Sequence, residues 1–295
     1  MILVAGGTGT LGTRIVRALA TSGTPVRILT RAPSRAGHLT GPGVEVHLGD
    51  VRDPEAVAAA MKGVTAVVSA VQGFAGTDPA GAQAVDLDGN SNLVNAAIDA
   101  GARRFVLISA TGAASDSPLS LRRIKFQAEQ ALIHSDLEWT IIRPTVYLET
   151  WIGLLGDMIT AKGSVTLFGR GRNPINFVGA DDVAALVAHT VGAPDLVGET
   201  LAIGGPENLT LNDVAGKLLV LQGQNERIRH VAIPVLRVVS TVLRPIKPTV
   251  ATLAEFGIIM DTTDMTLPRD TARARVPGLP TTRLADLLAR VKYAA

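Results

Sequence analysis

Gly6-Gly7-Thr8-Gly9-Thr10-Leu11-Gly12 stands directly after a short apolar run, Ile2–Ala5, and opens a segment with helical spacing. The run reads as GxGxxG from Gly7 or as GxxGxxG from Gly6, and either reading supports the same chemistry. Glycines let the backbone turn tightly and let a pyrophosphate approach bare amides, while the N-terminus of the following helix favours the anion. In a chain with 30 Gly a glycine-rich turn is not a signature by itself. The strand-turn-helix context makes it a dinucleotide-phosphate cradle, with Gly6, Gly7, Thr8, Gly9, Thr10, Leu11 and Gly12 as its binding residues.

The next apolar run ends Leu29-Thr30-Arg31, with Arg35 close behind, and this is where the nucleotide is selected. An NAD site places Asp or Glu near this point to hold the ribose hydroxyls. No acidic residue occurs between Met1 and Glu45, so nothing here repels a 2′-phosphate, and Arg31 and Arg35 can pair with one. The expectation is NADP(H) in preference to NAD(H), with Thr30, Arg31 and Arg35 at the adenosine end. The plainer alternative is a pair of solvated loop arginines.

Other chemistry is sparse. The 5 His are scattered, none at metal-ligand spacing, and Cys is absent, so no metal site, disulfide or thiol nucleophile is expected. Asp181-Asp182 opens a helical segment and reads as a cap favoured by the helix dipole. Arg269, Arg273 and Arg275 read as a solvated cationic surface. With 28 basic and 26 acidic side chains, net charge +2 and 3% aromatics, the chain lacks the clustered charge and stacking surface of a nucleic-acid binder. Arg227 to Ala254 contains no acidic residue but holds Arg227, Arg229, Arg237, Arg244 and Lys247. Within it Val235, Val238, Val239 and Val242 recur at helical spacing opposite Arg237, Thr241 and Arg244. Such an amphipathic helix can pack its apolar face on its own lobe, wall an apolar pocket or subunit contact, or attach to an anionic membrane surface.

Holding these residues in place requires a regular scaffold, and the first half supplies one. Short runs rich in Val, Ile and Leu (Ile2–Ala5, Val26–Thr30, Val44–Leu48, Ala66–Ala70, Phe105–Ser109, Trp139–Arg143) read as buried parallel strands. Helical segments separate them at Thr13–Thr21, Pro54–Met61, Gln83–Ala100 and Leu119–His134, with Asp53-Pro54 as a start signal. The prediction is an α/β fold: a Rossmann-type doubly wound parallel sheet with a smaller C-terminal α/β substrate lobe. Boundaries are expected at 1–150 for the nucleotide domain and 151–295 for the lobe, with parts of 175–205 returning to the main sheet. No charge precedes Arg14, so the first apolar run lacks the leading positive charge of a signal peptide, and a soluble cytoplasmic protein is expected, with membrane contact only peripheral.

Several further segments carry a family resemblance. Beside the opening glycines stand Gly49-Asp50-Val51-Arg52-Asp53, Ser69-Ala70, Phe105-Val106-Leu107-Ile108-Ser109 with Thr111-Gly112-Ala113, and Lys125-x-x-x-Glu129. Trp139-Thr140-Ile141-Ile142-Arg143-Pro144 and Ile175-Asn176-Phe177-Val178 ahead of Asp181-Asp182-Val183-Ala184 continue the pattern over roughly residues 1–205. Together they resemble the atypical short-chain dehydrogenase/reductases, in the NmrA-like, isoflavone-reductase-like and complex I accessory-subunit branch. The resemblance implies that Asp50 and Val51 meet the adenine, Ser69, Ala70 and Val71 line the nicotinamide ribose, and Pro144, Thr145 and Val146 flank the carboxamide. It makes Lys125 the lysine that bonds that ribose and Ser109 the hydroxyl that orients the substrate.

One part of the family pattern is missing. Typical members carry a proton-transferring Tyr four residues before the lysine, and here that position is Leu121. The chain's other phenols are Tyr147 and Tyr293. Three outcomes follow: Lys125 acts as the acid or base, Tyr147 substitutes, or the protein binds the nucleotide without turnover. Their plainer counterparts are a helix lysine paired with Glu129, a packed aromatic, and for Ser109 a strand-end turn. Quinones, enones and imines accept hydride with protonation left to solvent, so the reading is an NADPH-dependent reductase of a small apolar conjugated substrate, with catalytic candidates Lys125, Ser109 and Tyr147. The alternative is a non-catalytic NADP(H) sensor or an accessory subunit of a larger complex.

Overall fold

The computed structural model describes residues 1–73, 81–225 and 227–290; Tyr293 lies outside them. The first half runs β1 (Ile2–Ala5), α1 (Thr10–Thr21), β2 (Val26–Thr30), β3 (Val44–Leu48), α2 (Pro54–Ala60), β4 (Ala66–Ser69), α3 (Gly89–Asp99), β5 (Arg104–Ile108), α4 (Ser120–Ile133) and β6 (Glu138–Pro144). The remainder runs β7 (Val146–Tyr147), α5 (Leu148–Lys162), β8 (Val165–Phe168), β9 (Ile175–Val178), α6 (Ala180–Val191), β10 (Glu199–Ile203) and β11 (Asn208–Leu209). It continues with α7 (Leu211–Leu221), β12 (Ile228–Val231), α8 (Ile233–Val242), α9 (Pro248–Thr262), α10 (Thr271–Arg275) and α11 (Leu284–Arg290).

The chain divides into two compact units. The first comprises Met1–Pro144, Ala180–Ile203 and Asp270–Pro280, and the second Thr145–Gly179, Gly204–Arg269 and Thr281–Ala295. In the first unit a 7-stranded sheet has the order β10-β6-β5-β4-β1-β2-β3, and every neighbouring pair is parallel. Parallel pairing buries both faces of the central strands under helices, which is why β1 and β4 are buried along their whole length, whereas edge strand β3, Val44-Glu45-Val46-His47-Leu48, alternates and stays partly exposed. Leu3, Val67, Phe105, Leu107 and Ile141 form one side of its core with Leu93 and Leu132 from the covering helices. Truncating a fully buried aromatic such as Phe105 to Ala costs about 3–5 kcal/mol. Asp53 caps α2, accepting from the Glu55 and Ala56 amides, and Pro54 stands in its first turn. The strand order reverses between β1 and β4, and ligands of open α/β sheets bind at the carboxyl ends of strands at such a reversal.

Two features depart from the expectations. Gln83–Ala100 is not one uniform helix: Gln83–Asp88 is a π-helical turn that leads into α3. Asp181 and Asp182 do more than open α6, and Arg273, unlike the exposed Arg269 and Arg275, is drawn in from the solvated surface. Asp182 is wholly buried and pairs with Arg273 at 2.9 Å, Arg273 also pairs with Asp270 at 2.6 Å, and Asp181 pairs with Arg14 at 2.8 Å. Arg275 reaches the Asp195 carbonyl at 2.9 Å. The segment from 270 to 280 returns to the first unit from far along the chain, so no local pattern announces these partners.

The second unit contains a three-stranded sheet, β11-β9-β7, and a two-stranded one, β12-β8. Ile152, Leu155, Phe177, Leu218 and Met260 belong to its core. Thr210 and Asp213 form a reciprocal capping box at the start of α7. Asn176 ties its strands to neighbouring turns, donating to the Gly205 carbonyl and to Asn208 Oδ1 and accepting from the Gly205 amide.

Candidate active site

At the end of β1 the chain turns through Gly6 at φ +79°, a left-handed conformation that glycine adopts without cost. A Cβ on Gly6 would stand 2.6 Å from the Ala70 carbonyl oxygen, and one on Gly12 would stand 2.1 Å from the Gly6 carbonyl oxygen. Bare backbone is therefore required on both sides of the turn. The Gly9 amide donates to Gly6 O at 3.1 Å and the Thr13 amide to Gly9 O at 2.9 Å. Gly9 gives α1 no side-chain cap, and no acidic residue lies in its first turn, so its leading amides and positive dipole end favour an anion.

Beside the turn, the hydroxyls of Thr8 and Thr30 meet at 3.3 Å, and the Ala32 amide donates to Thr30 Oγ1 at 3.2 Å. Arg31 and Arg35 both point outward. The Arg31 guanidinium lies 3.9 Å from Asp50, which Arg52 holds more closely at 2.7 Å. The hydrogen bond from Arg52 keeps the Asp50 carboxyl below its ordinary value. Val51 is buried, and its carbonyl accepts from Asn92 Nδ2 at 2.9 Å.

Lys125 is 5% exposed and carries a set of partners that local sequence does not suggest. Its ammonium lies 2.7 Å from Asp86 Oδ1, 3.1 Å from the Ile108 carbonyl oxygen and 3.2 Å from that of Val71. Three oxygens thus ring a group with three N–H donors. Asp86 sits in the π-helical turn, a distortion that recurs at functional sites, and its other oxygen accepts from the Gly73 amide at 2.8 Å. One turn on, Asn90 donates to the Asp86 carbonyl and accepts from Ser69 Oγ at 2.6 Å. Asp86 and Asn90 are the residues that sequence reasoning passed over. Gln83, Asp88, Ser91, Asn92 and Asn95 stand around them, so nothing local marked these two polar side chains, at i and i+4, as the ones that turn inward.

Glu129, four residues after Lys125, pairs with Arg143, whose Nε donates to Glu129 Oε1 at 2.8 Å. Leu121 is buried on α4. Ser109 continues β5, its amide donating to the Ile142 carbonyl at 2.8 Å, while its buried Oγ has no partner among the described residues. The Thr111 amide donates to the Pro144 carbonyl at 2.9 Å.

The structure thus brings the glycine turn to Ala70, Arg31 to Asp50, and Lys125 to the ends of β4 and β5. Thr145, Val146 and Tyr147 belong to the second unit. There Thr145 Oγ1 donates to Asn176 Oδ1 at 3.3 Å, and β7 pairs with β9. The Tyr147 hydroxyl is buried without a partner among the described residues. Burial, with a smaller effect from the charge of Glu149, pushes that hydroxyl far above the ordinary phenol value. A turn that only bare backbone can make, an uncapped helix start and an orphaned Ser109 hydroxyl fit a dinucleotide; this fold would seat its diphosphate at Gly6–Gly12.

The chain matches the NAD(P)H-binding family over residues 6–194. It is 31% identical to the NAD(P)H azoreductase of Xenophilus azovorans, over 79% of this chain and 77% of that one. It is 30% identical to the photosystem II assembly factor Ycf39 of a Synechocystis strain, over 80% of this chain and 72% of that one. Among solved structures, the NADPH-dependent quinone oxidoreductase of Escherichia coli, complexed with NADPH, superposes with a TM-score of 0.78. That superposition covers 98% of this chain and 99% of the other at 22% identity, so it speaks for the fold. The glycine turn, the sheet order and these similarities agree: the chain belongs to the NAD(P)H-binding oxidoreductase family, in its NmrA-like, atypical short-chain dehydrogenase/reductase branch.

Proposed function

We propose that this protein takes NADPH in preference to NADH and reduces a small apolar conjugated acceptor, a quinone, enone or imine, with the proton drawn from solvent. One observation carries the reading: a dinucleotide cradle stands beside a site whose proton-transfer position is Leu121 and whose lysine is ringed by oxygens of the protein. NADPH supplies a hydride when bound. An acceptor whose reduced form is stabilised by conjugation then needs no acid within the protein. The azoreductase similarity supports such a substrate class.

In this reading Arg31 and Arg35 hold the 2′-phosphate, Asp50 and Val51 border the adenine, and Ser69, Ala70 and Val71 border the nicotinamide ribose. Pro144, Thr145 and Val146 flank the carboxamide, and the Ser109 hydroxyl finds its missing partner on ribose or substrate. Lys125 fixes the end of β4 electrostatically and donates no proton. A chain without Cys fits a reducing compartment, and we place the protein in the cytoplasm. Among the described residues no helix is long and apolar enough to cross a membrane.

A second reading, nucleotide binding without turnover in a larger assembly, is favoured by the similarity to an assembly factor and by the same Leu121. NADPH oxidation against a panel of quinones, enones and imines separates the two. Turnover with any member supports the reductase. Tight NADPH binding with no turnover across the panel, together with a co-purifying partner, supports the second reading.

A further inference from the structure

Three of the four valines of α8 do not pack inward. Leu236 and Ser240 face the protein, while Val235 is 51% exposed, Val238 62% and Val242 56%. At 100° per residue these three valines occupy a sector about 60° wide. Arg237 lies about 130° round the helix from the middle of that sector, and Arg244 follows just past the helix end. The stripe continues past the helix at Ile246, 70% exposed, and α9 packs against α8. Aliphatic side chains this exposed and this regularly spaced mark an interaction surface.

Its charge indicates what it meets. The stretch from 227 to 254 holds no acidic residue. Arg244 pairs with Glu255, whereas Arg237 and Lys247 have no carboxylate partner among the described residues. A second copy docking through the same face would bring two acid-free stretches, 227 to 254, against each other with no carboxylate of either to offset Arg237 and Lys247. A flat anionic surface meets both features at once: valines enter the boundary below the headgroups while arginine and lysine reach up to phosphates.

We propose that α8 docks this protein on an anionic lipid bilayer, lying in the plane of its surface. The proposal is independent of the reductase reading, because none of these residues belongs to the nucleotide site. Flotation of the full chain with vesicles tests it, using phosphatidylcholine alone or with about one-third phosphatidylglycerol. Binding is expected only to the anionic vesicles, and is expected to vanish at about 1 M salt, where charges are screened beyond about 3 Å. Arg237→Gln should weaken binding about fivefold, the equivalent of about 1 kcal/mol per basic side chain at such a surface. Val238→Asp should abolish binding while leaving the circular dichroism melting curve unchanged. Absence of binding to anionic vesicles overturns the proposal, as does binding that both variants retain. A dimer in light scattering that Val238→Asp dissociates would overturn it in favour of a second copy.

Discussion

Asp86 and Lys125 meet at 2.7 Å with both side chains withdrawn from solvent, joining the π-helical turn before α3 to the middle of α4. Through Gly73 and Val71 the pair also pins the backbone that follows β4. Removing one member of a buried pair strands the other charge, which costs about 3–5 kcal/mol. Asp86→Ala should lose that much in urea unfolding, and Asp86→Ala with Lys125→Met should lose clearly less than the sum of the single changes. Additive losses would mean that the pair is not coupled.

Tyr147 is expected to take no part in proton transfer. Its hydroxyl is buried and unpartnered among the described residues, so Tyr147→Phe should change stability by less than about 1 kcal/mol or raise it slightly. Because burial raises the folded-state value, the hydroxyl stays protonated through the neutral and mildly alkaline range. Any stabilisation linked to it is complete below the ordinary phenol value and is lost as pH rises beyond that. Turnover should therefore show no tyrosine limb below about pH 10. A fall of about 100-fold or more in kcat for Tyr147→Phe, the size of a general-acid contribution, would make it the proton donor.

Gly12→Ala should remove NADPH binding and destabilise the fold by about 1–3 kcal/mol, since its Cβ would overlap the Gly6 carbonyl. Gly6→Ala adds the left-handed penalty of about 1–2 kcal/mol. Gly41→Ala, with nothing within 4 Å of the added carbon, is the control and should bind normally. Equal binding by Gly12→Ala in calorimetry would remove the diphosphate from this turn.

Arg31→Ala should weaken NADPH by about tenfold and leave NADH nearly unchanged, the loss of one charge-assisted contact of about 1.5 kcal/mol. Equal losses for the two nucleotides would assign Arg31 to folding. The neighbouring Asp50 sets the pH window of this end of the site. Its folded-state value is depressed, so its contribution is present above the ordinary carboxylate range and is lost only as pH falls through the depressed value. Asp50 should therefore add no pH dependence to NADPH binding between about pH 6 and pH 8.

The fold was largely legible because central parallel strands must be apolar on both faces, as Ile2–Ala5 is, while Val26–Thr30 and Val44–Leu48, which carry Arg27, Glu45 and His47, were legible from their valines and leucines and are strands at those limits. The glycine turn was legible for a similar reason, since at Gly6 and Gly12 its geometry leaves no room for a side chain. The surroundings of Lys125 were not. Glu129 at i+4 looked like its partner, but the ammonium faces Asp86 from another helix, and a contact between helices leaves no periodic trace in either. The outward turn of α8 was equally hidden, because spacing shows that Val235, Val238 and Val242 share a face but not which way that face points.

Single-turnover mixing of the NADPH-bound protein with a quinone or enone, followed by nicotinamide absorbance, tests the central claim most directly. The account predicts that the absorbance decays, and more slowly when deuterium occupies one particular C4 position of the nicotinamide. Persistent absorbance with every acceptor, despite saturated binding, would contradict it.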